Sequence, residues 1–405
     1  MDPLARKLKR DLTVEEQLAR GPLDLPFLML VVMLTGIGVI MMFSASYAEA
    51  LYELENPTYY FMRQGLFAVA GLVIMYVVSK INYQTLRWLS VLALMGSIFL
   101  LILVKVPGIG DSAGGANRWI RAIGPLPRWQ PSEAAKLGVI LYFSARLSKR
   151  HTEKKRKFDL RKPSGRVLRF LDHIGFLELL PYGAILGVIA LLLLWEPHLS
   201  ATILILAIGA SILFAAGIHL GWFALGGGLM GAALWVVANA TSYMADRLAI
   251  WKNPWSDMQG DGYQIVQSLY AIGSGGLLGL GLGNSRQKFL YLPELQNDYI
   301  FPIICEELGF VGAAMVLVLF ALLINRGYWL ALHARDRFGA LLAVGVTTQV
   351  AVQVFLNIGV VTNLLPPTGI SLPFFSYGGT ALVIQLVEMG IVLGVSRQIP
   401  APRAG

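Results

Sequence analysis

Apolar runs long enough to cross a bilayer recur along the whole chain, and no other feature constrains its fold so strongly. About ten are legible, beginning near Leu25, Phe61, Trp88, Pro131, Leu179, Ala201, Leu220, Tyr299, Phe338 and Ser371. One crossing takes about 20 apolar residues, so 405 residues hold ten spans with modest loops. The runs from Trp88 to Val106 and from Leu179 to Trp195 are uninterrupted, whereas Leu199 to Ala238 needs a turn around Gly217-Ile218-His219. Only 14% of the residues are charged, against about a quarter in a soluble domain. The expected fold is an all-α polytopic membrane protein. The first 20 residues are polar and basic, unlike a cleavable signal peptide. The single cysteine, Cys305, excludes an intrachain disulfide.

Lys and Arg in short loops mark the cytoplasmic side of a membrane. They gather at the N-terminus (Arg6, Lys7, Lys9, Arg10, Arg20), between Lys149 and Arg169, at Arg326, Arg335 and Arg337, and at Arg397 and Arg403. Ten spans with both termini inside put all of these in the cytoplasm. The same arrangement puts Ser44 to Met62, with Glu49, Glu53 and Glu55, outside. The domain organisation then reads as a cytoplasmic segment 1–22, one transmembrane domain 23–398 and a cytoplasmic tail 399–405. A long extracytoplasmic loop, 239–298, joins the seventh and eighth helices. The net charge of +9 suits anionic headgroups rather than nucleic acid.

Two outer loops carry more charge than orientation requires. Pro107 to Trp129 holds Arg118, Arg121 and Arg128, and 239–298 holds Arg247, Lys252, Arg286 and Lys288 among several Asp and Glu. Long loops rich in aromatic, Gly and Pro residues are usually functional. Gln130-Pro131-Ser132-Glu133 leads into Lys136, with Pro131 suited to a first helical turn and Glu133 and Lys136 on one face. That pair is either a local ion pair or part of a cavity wall, since ionisable residues inside a membrane face a cavity or a partner. Trp251, Trp255 and Tyr263, the last followed by Gln264, form an interfacial aromatic belt or, with Arg247 and Lys252, a headgroup-phosphate site.

The Gly-rich stretch Gly273 to Lys288 lacks the context of a nucleotide-binding fingerprint. It fits a tight re-entrant turn or backbone N–H groups facing an anion. Asp298, in Asn297-Asp298-Tyr299, stands at a helix mouth, as an N-terminal cap or as a carboxylate raised toward general-base range by desolvation. Glu306 and Glu307 follow about 12–14 Å deeper along the helix. Leu365 to Gly379, with its prolines and glycines and with Ser376, reads as a helix broken where it lines a cavity. The five His are scattered and form no metal-ligand set, no nucleotide cofactor is indicated, and help from a divalent cation is left open.

Together these stretches resemble the SEDS family of cell-wall glycan polymerases, from Ser44-Ala45-Ser46 to Ser376-Tyr377-Gly378-Gly379. Asn253-Pro254-Trp255, Gln287-Lys288 and Tyr291-Leu292-Pro293-Glu294 resemble its division and sporulation branch. The resemblance implies a peptidoglycan glycosyltransferase in the bacterial cytoplasmic membrane, facing outward. It would join lipid II units to a growing glycan strand by β-1,4 transfer, release undecaprenyl pyrophosphate, and work with a class B penicillin-binding protein as transpeptidase. The family's essential Asp matches Asp298, the expected general base, and its motif Glu and Lys match Glu133 and Lys136. Arg118, Arg247, Lys252, Gln264, Arg286, Lys288 and Ser376 complete the candidate substrate-binding set. Three departures stand out: Asn297 and Tyr299 flank Asp298, Glu196-Pro197-His198 replaces a Gln-Pro-Asp turn, and Asn363 replaces a Gly. The rival readings are a lipid II flippase and a non-catalytic scaffold for the transpeptidase.

Overall fold

Helices account for nearly all of the regular structure in the computed structural model, which describes residues 21–113, 116–122, 128–150, 169, 172, 175–240, 242–260, 262–289, 291–293 and 295–399. Residues 1–20 of the expected segment 1–22, residues 400–405 of the expected tail 399–405 and most of the basic stretch after Arg150 lie outside the described residues. In chain order the helices are α1 Leu25–Leu54, α2 Tyr59–Lys80, α3 Gln84–Leu103, α4 Pro131–Leu147, α5 Phe176–Trp195 and α6 Leu199–Ala215. Then follow α7 Leu220–Ala240, α8 Ser242–Lys252, α9 Tyr263–Ser274, α10 Ile300–Leu332, α11 Arg337–Val361 and α12 Gly379–Ser396. Among the described residues, seven helices (α1, α2, α3, α5, α10, α11 and α12) are long and apolar enough to cross a membrane, and α6 is a shorter apolar helix.

Three expectations need correction. The last helix begins at Gly379, not near Ser371, because Pro373 cannot donate to a helical ladder and Phe374 takes a positive φ of 66°. The long stretch 239–298 is not a plain loop: it carries α8, a 3₁₀ turn Pro254–Asp257 and α9. The chain is also not purely α, since Gly110–Ala113 (β1) and Ala116–Ile120 (β2) pair as an antiparallel hairpin. The expected turn at Gly217 is present between α6 and α7.

α11 is the central post, packing against α4, α6, α9, α10 and α12. The peripheral helices face outward with apolar side chains, among them Leu66 and Val69 of α2, Leu92 and Phe99 of α3, and Leu191 of α5. In water such surfaces would be a liability; in lipid they are the solvent-facing side of a multi-pass membrane protein. α10 is two helices in one, broken at Gly309 with φ 67° and ψ −170°. A Cβ on Gly309 would sit 2.3 Å from the backbone nitrogen of Gly279, so no other residue fits that approach.

Polar contacts tie the helix ends into two belts. At one end Asp24 accepts from Arg326 at 2.5 Å, Tyr83 and Gln84 donate to Asp336, Arg150 pairs with Glu178, and Arg397 donates to the Gly21 carbonyl. At the other, Gln296 donates to Glu49, Arg118 to the Pro197 carbonyl, and Asn357 to the Asp298 carbonyl. The first belt holds the basic residues Arg150, Arg326 and Arg397; the second holds nearly every candidate site residue.

Candidate functional site

The segment 362–378, between α11 and α12, forms a plate across the second belt, and the surrounding elements hold it chiefly by its backbone carbonyls. Asn363 closes α11 in the left-handed region at φ 59°, which Asn tolerates better than other non-glycine residues. Its amide donates to the Trp251 carbonyl, and Trp251 Nε1 donates back to the Asn363 carbonyl, both at 3.2 Å. The turn that a Gly usually makes is thus built with Asn. Arg247 donates to the Pro367 carbonyl at 2.9 Å, Ser200 to that of Thr368, and Asn357 Nδ2 to that of Ile370 at 2.6 Å. Gln64 Nε2 reaches the Ser376 carbonyl at 3.1 Å.

Asp298 lies against this plate. It is not the helix cap: α10 begins at Ile300, and the cap position is Tyr299 without a side-chain capping bond. The same Asn357 amide that holds Ile370 holds the Asp298 carbonyl at 2.8 Å, fixing the approach to α10. Its carboxylate borders Gly369, where an added Cβ would stand 3.0 Å from Oδ2. Gly369 has φ 67°, so both its backbone conformation and this contact favour glycine. Burial raises the pKa of the Tyr299 hydroxyl, the Asp298 charge adds to the rise, and Arg247 opposes it. Asp298 and Arg247 therefore act on the same small volume.

Across the plate, Pro131 occupies the first turn of α4 with Gln130 at the cap, so Glu133 and Lys136 share a face as expected. They form an ion pair of 2.6 Å, with Lys136 only 2% exposed. Glu133 opens into a small crevice of about 30 Å³ bounded by Gln349 and Gln353 of α11, Ser376 and Tyr377 of the plate, and the first turns of α12. Ser376 is buried there, its hydroxyl accepting from the Leu372 N–H at 2.7 Å. The Tyr377 hydroxyl is raised by burial and opposed by a hydrogen bond from Arg63. Arg63, which stacks 4.6 Å over Tyr59, and Arg128, which acts on Tyr377 from the hairpin side, join the crevice mouth. Sequence reasoning left Arg63 out, although an arginine inside the apolar run of α2 is itself a signal.

Arg118 reaches the turn between α5 and α6, donating to the Pro197 carbonyl at 2.5 Å. Glu196 and His198 of that turn are both buried. His198 Nε2 lies 3.4 Å from the Gln130 amide, and burial, with Arg118 and Lys136 nearby, pushes its pKa down to about 3. Neither Glu196 oxygen has a hydrogen-bond partner. Burial pushes that carboxyl up to about 8, against the pull of Lys105 and Arg118. The folded state then holds a proton that the unfolded chain releases near pH 4.5. The linked stability is complete below that value and drains away as pH rises toward 8. Thermal unfolding from pH 5 to 9 should show this loss, and Glu196→Gln should flatten it; an unchanged slope in the variant would clear Glu196.

The Gly-rich stretch does meet an anion, but an internal one. Leu280 and Gly281 donate to the Glu306 and Glu307 carbonyls at 2.9 and 3.0 Å, and Phe310 donates to Gly276 at 2.9 Å, zipping the stretch across the α10 break. The N–H groups of Arg286 and Gln287 point at the Glu306 carboxylate (3.1 and 3.4 Å), and that of Ser285 at Glu307 (3.3 Å). Lys288 is 3% exposed and pairs with Glu307 at 3.3 Å, so it is an internal counter-ion rather than a free cation for a ligand. Arg286 and Lys252 are exposed, and Gln264 Nε2 donates to the Pro293 carbonyl at 3.2 Å. Glu294 lies outside the described residues. No cluster of three or more His, Cys, Asp or Glu suited to a metal occurs among the described residues.

The family model described as cell cycle protein, covering FtsW, RodA and SpoVE, matches residues 25–400. The probable peptidoglycan glycosyltransferase FtsW of Geobacter sulfurreducens is 38% identical over 376 residues, 93% of this chain and 95% of that one. Stage V sporulation protein E of Bacillus subtilis is 39% identical over 375 residues, 92% of this chain and 97% of that one. Among solved structures, a complex described as a peptidoglycan synthase that coordinates polymerization and crosslinking aligns with TM-score 0.70 at 28% identity. That alignment covers 93% of this chain and 98% of the other. The rod shape determining protein RodA of Thermus thermophilus aligns with TM-score 0.65 at 25% identity, over 94% and 99% of the two chains.

Proposed function

This chain belongs to the FtsW, RodA and SpoVE family of cell cycle proteins, and from that premise we propose that it polymerises lipid II into glycan strands. The observation that carries the reading is Asp298. Its carboxylate borders Gly369, and its charge and that of Arg247 both act on Tyr299, at the end of the bundle where the site residues gather.

Joining a GlcNAc 4-hydroxyl to a MurNAc anomeric carbon needs a base within reach of the hydroxyl and cationic groups at the departing pyrophosphate. Asp298 is the base. Arg247, held on the plate beside it, stabilises the pyrophosphate charge, with Arg118, Arg286 and Lys252 as outlying cations and Gln264 at the rim. Glu133, Lys136 and Ser376 shape the crevice that receives a sugar. Attack opposite an α-linked pyrophosphate inverts the anomeric carbon and leaves a β-linkage. One carboxylate suffices because pyrophosphate departs without the acid that a sugar alcohol requires. The partner is a class B penicillin-binding protein, a reading supported by the solved complex that couples polymerization to crosslinking.

Purified protein with its transpeptidase partner should convert labelled lipid II to polymer in detergent, where a membrane has no sides and a flippase has no task. No polymer with any of several partners, together with lipid II translocation in vesicles, would favour the flippase.

We further propose that the belt holding Arg150, Arg326 and Arg397 is cytoplasmic and the site belt faces outward, in the bacterial cytoplasmic membrane. Basic residues favour the inner side. In a Cys305→Ser background, Asp257→Cys should react with an impermeant maleimide in intact cells and Lys149→Cys only after permeabilisation. The reverse pattern would invert the orientation.

A further inference from the structure

Below the crevice the bundle contains a second carboxylate that the proposed chemistry does not use. Glu388 of α12 has no exposed surface, and its Oε2 accepts from Gln349 Nε2 at 2.6 Å. Its Oε1 has no hydrogen-bond partner, and neither have Gln349 Oε1 and Gln353 Oε1. Gln349 is 1% exposed and Gln353 6%, and both line the crevice beside Glu133. The charges acting on Glu388 are Lys136, which attracts it, and Glu133, which repels it, both from α4. From α11 it meets the neutral Gln349. Lys136 is already paired with Glu133 at 2.6 Å. One ammonium thus serves two carboxylates, the fully buried Glu388 and the partly exposed Glu133, leaving one negative charge unmatched inside a bundle that lipid surrounds. Burying a lone charge costs far more than a bundle can absorb, so something must neutralise it.

We propose that Glu388, Gln349 and Gln353 hold a monovalent alkali cation, admitted through the crevice. Three oxygens lack a donor, and neither a proton alone nor a single water alone satisfies all of them. A proton on Glu388 Oε1 turns that atom into a donor for one glutamine oxygen and leaves the other unsatisfied. A single water has two hydrogens for three acceptors. A hard cation takes oxygen ligands from carboxylate and amide carbonyl alike, and one positive charge matches the one excess negative charge. Gln349 and Gln353, four residues apart, present their side chains on one helix face, with Glu388 supplying the third ligand from the neighbouring helix. With the cation in place, Lys136 stays committed to Glu133 at the crevice wall; without it, Glu388 competes for the ammonium.

The inference does not depend on the polymerase reading, because it is tested by binding. Purified protein is dialysed into N-methyl-glucamine chloride and its thermal unfolding followed as sodium or potassium chloride replaces that salt at constant ionic strength and pH. At saturating cation the Tm should rise by about 2–4 °C in at least one alkali salt. Glu388→Gln, neutral and nearly isosteric, should remove the rise and match or exceed the wild-type Tm in the organic salt. Gln353→Leu, which deletes one ligand, should demand more alkali cation for the same rise. A wild-type Tm indifferent to the cation, or following pH alone, would overturn the proposal in favour of protonation or trapped water. So would a Glu388→Gln variant that still responds to alkali salt.

Discussion

Asp298→Asn should abolish glycan polymerisation while leaving the protein folded and bound to its partner. The amide is nearly isosteric with the carboxylate but cannot take the hydroxyl proton, and general-base assistance is worth about 10²–10⁴-fold. Asp298 precedes the cap position of α10, and the tie of its backbone carbonyl to Asn357 does not depend on the side chain. Asn preserves that tie, so Tm should move little. Asp298→Glu should retain a trace of activity at most, because the longer side chain must find room beside Gly369. Lipid II polymerisation, thermal unfolding and co-purification of the transpeptidase, measured for Asp298→Asn, Asp298→Ala and Asp298→Glu, give the answer together. Near-normal synthesis by the Asn variant would take Asp298 out of the mechanism.

The largest effect on stability should come from Glu307, buried in α10 just before the Gly309 break. Its carboxylate accepts from Ser44 Oγ at 2.7 Å, from the Ser285 N–H at 3.3 Å and from Lys288 Nζ at 3.3 Å. Glu307→Ala strands the Lys288 ammonium, and removing one partner of a buried pair costs about 3–5 kcal/mol. Loss of the Ser44 and Ser285 contacts adds to it. Protection of residues 276–288 against protease should fall with Tm, because that stretch is pinned to α10 through Glu306 and Glu307. Glu307→Gln with Lys288→Met removes both charges and should recover part of the loss, a coupling that single variants cannot produce. If Glu307→Ala unfolds within 1 °C of the wild type, the pair is not what holds the stretch.

The helices were legible because hydrophobic runs in a membrane protein face lipid or one another, and length alone separates spans from loops. Pro131, Glu133 and Lys136 were legible because helix geometry over one turn is local. Lys288 was not: its partner lies 19 residues away on another element, and spacing does not reveal which of Glu294, Glu306 or Glu307 it meets. Ser371 to Gly378 misled for a related reason. Its Leu, Pro and Phe residues are apolar enough to read as a helix start, but beyond one turn closed on the Leu372 carbonyl its backbone groups bond to Gln64, Gln296 and Gln385. The hairpin Gly110–Ile120 likewise depends on pairing that composition does not mark. Gln349 and Gln353 escaped notice as isolated polar residues in an apolar helix, where only the neighbouring helices give them a task.

The plate between α11 and α12 is gripped through the carbonyls of Asn363, Pro367, Thr368, Ile370 and Ser376. A carbonyl is the same whatever side chain it belongs to. The segment therefore stores much of its information in contour: besides Asn363, Gly369, Ser376 and the buried Ile370, Leu372, Phe374 and Phe375, what matters is the number of its residues more than their identity. Deleting one residue from it would shift every later carbonyl by one step and release several walls of the site at once.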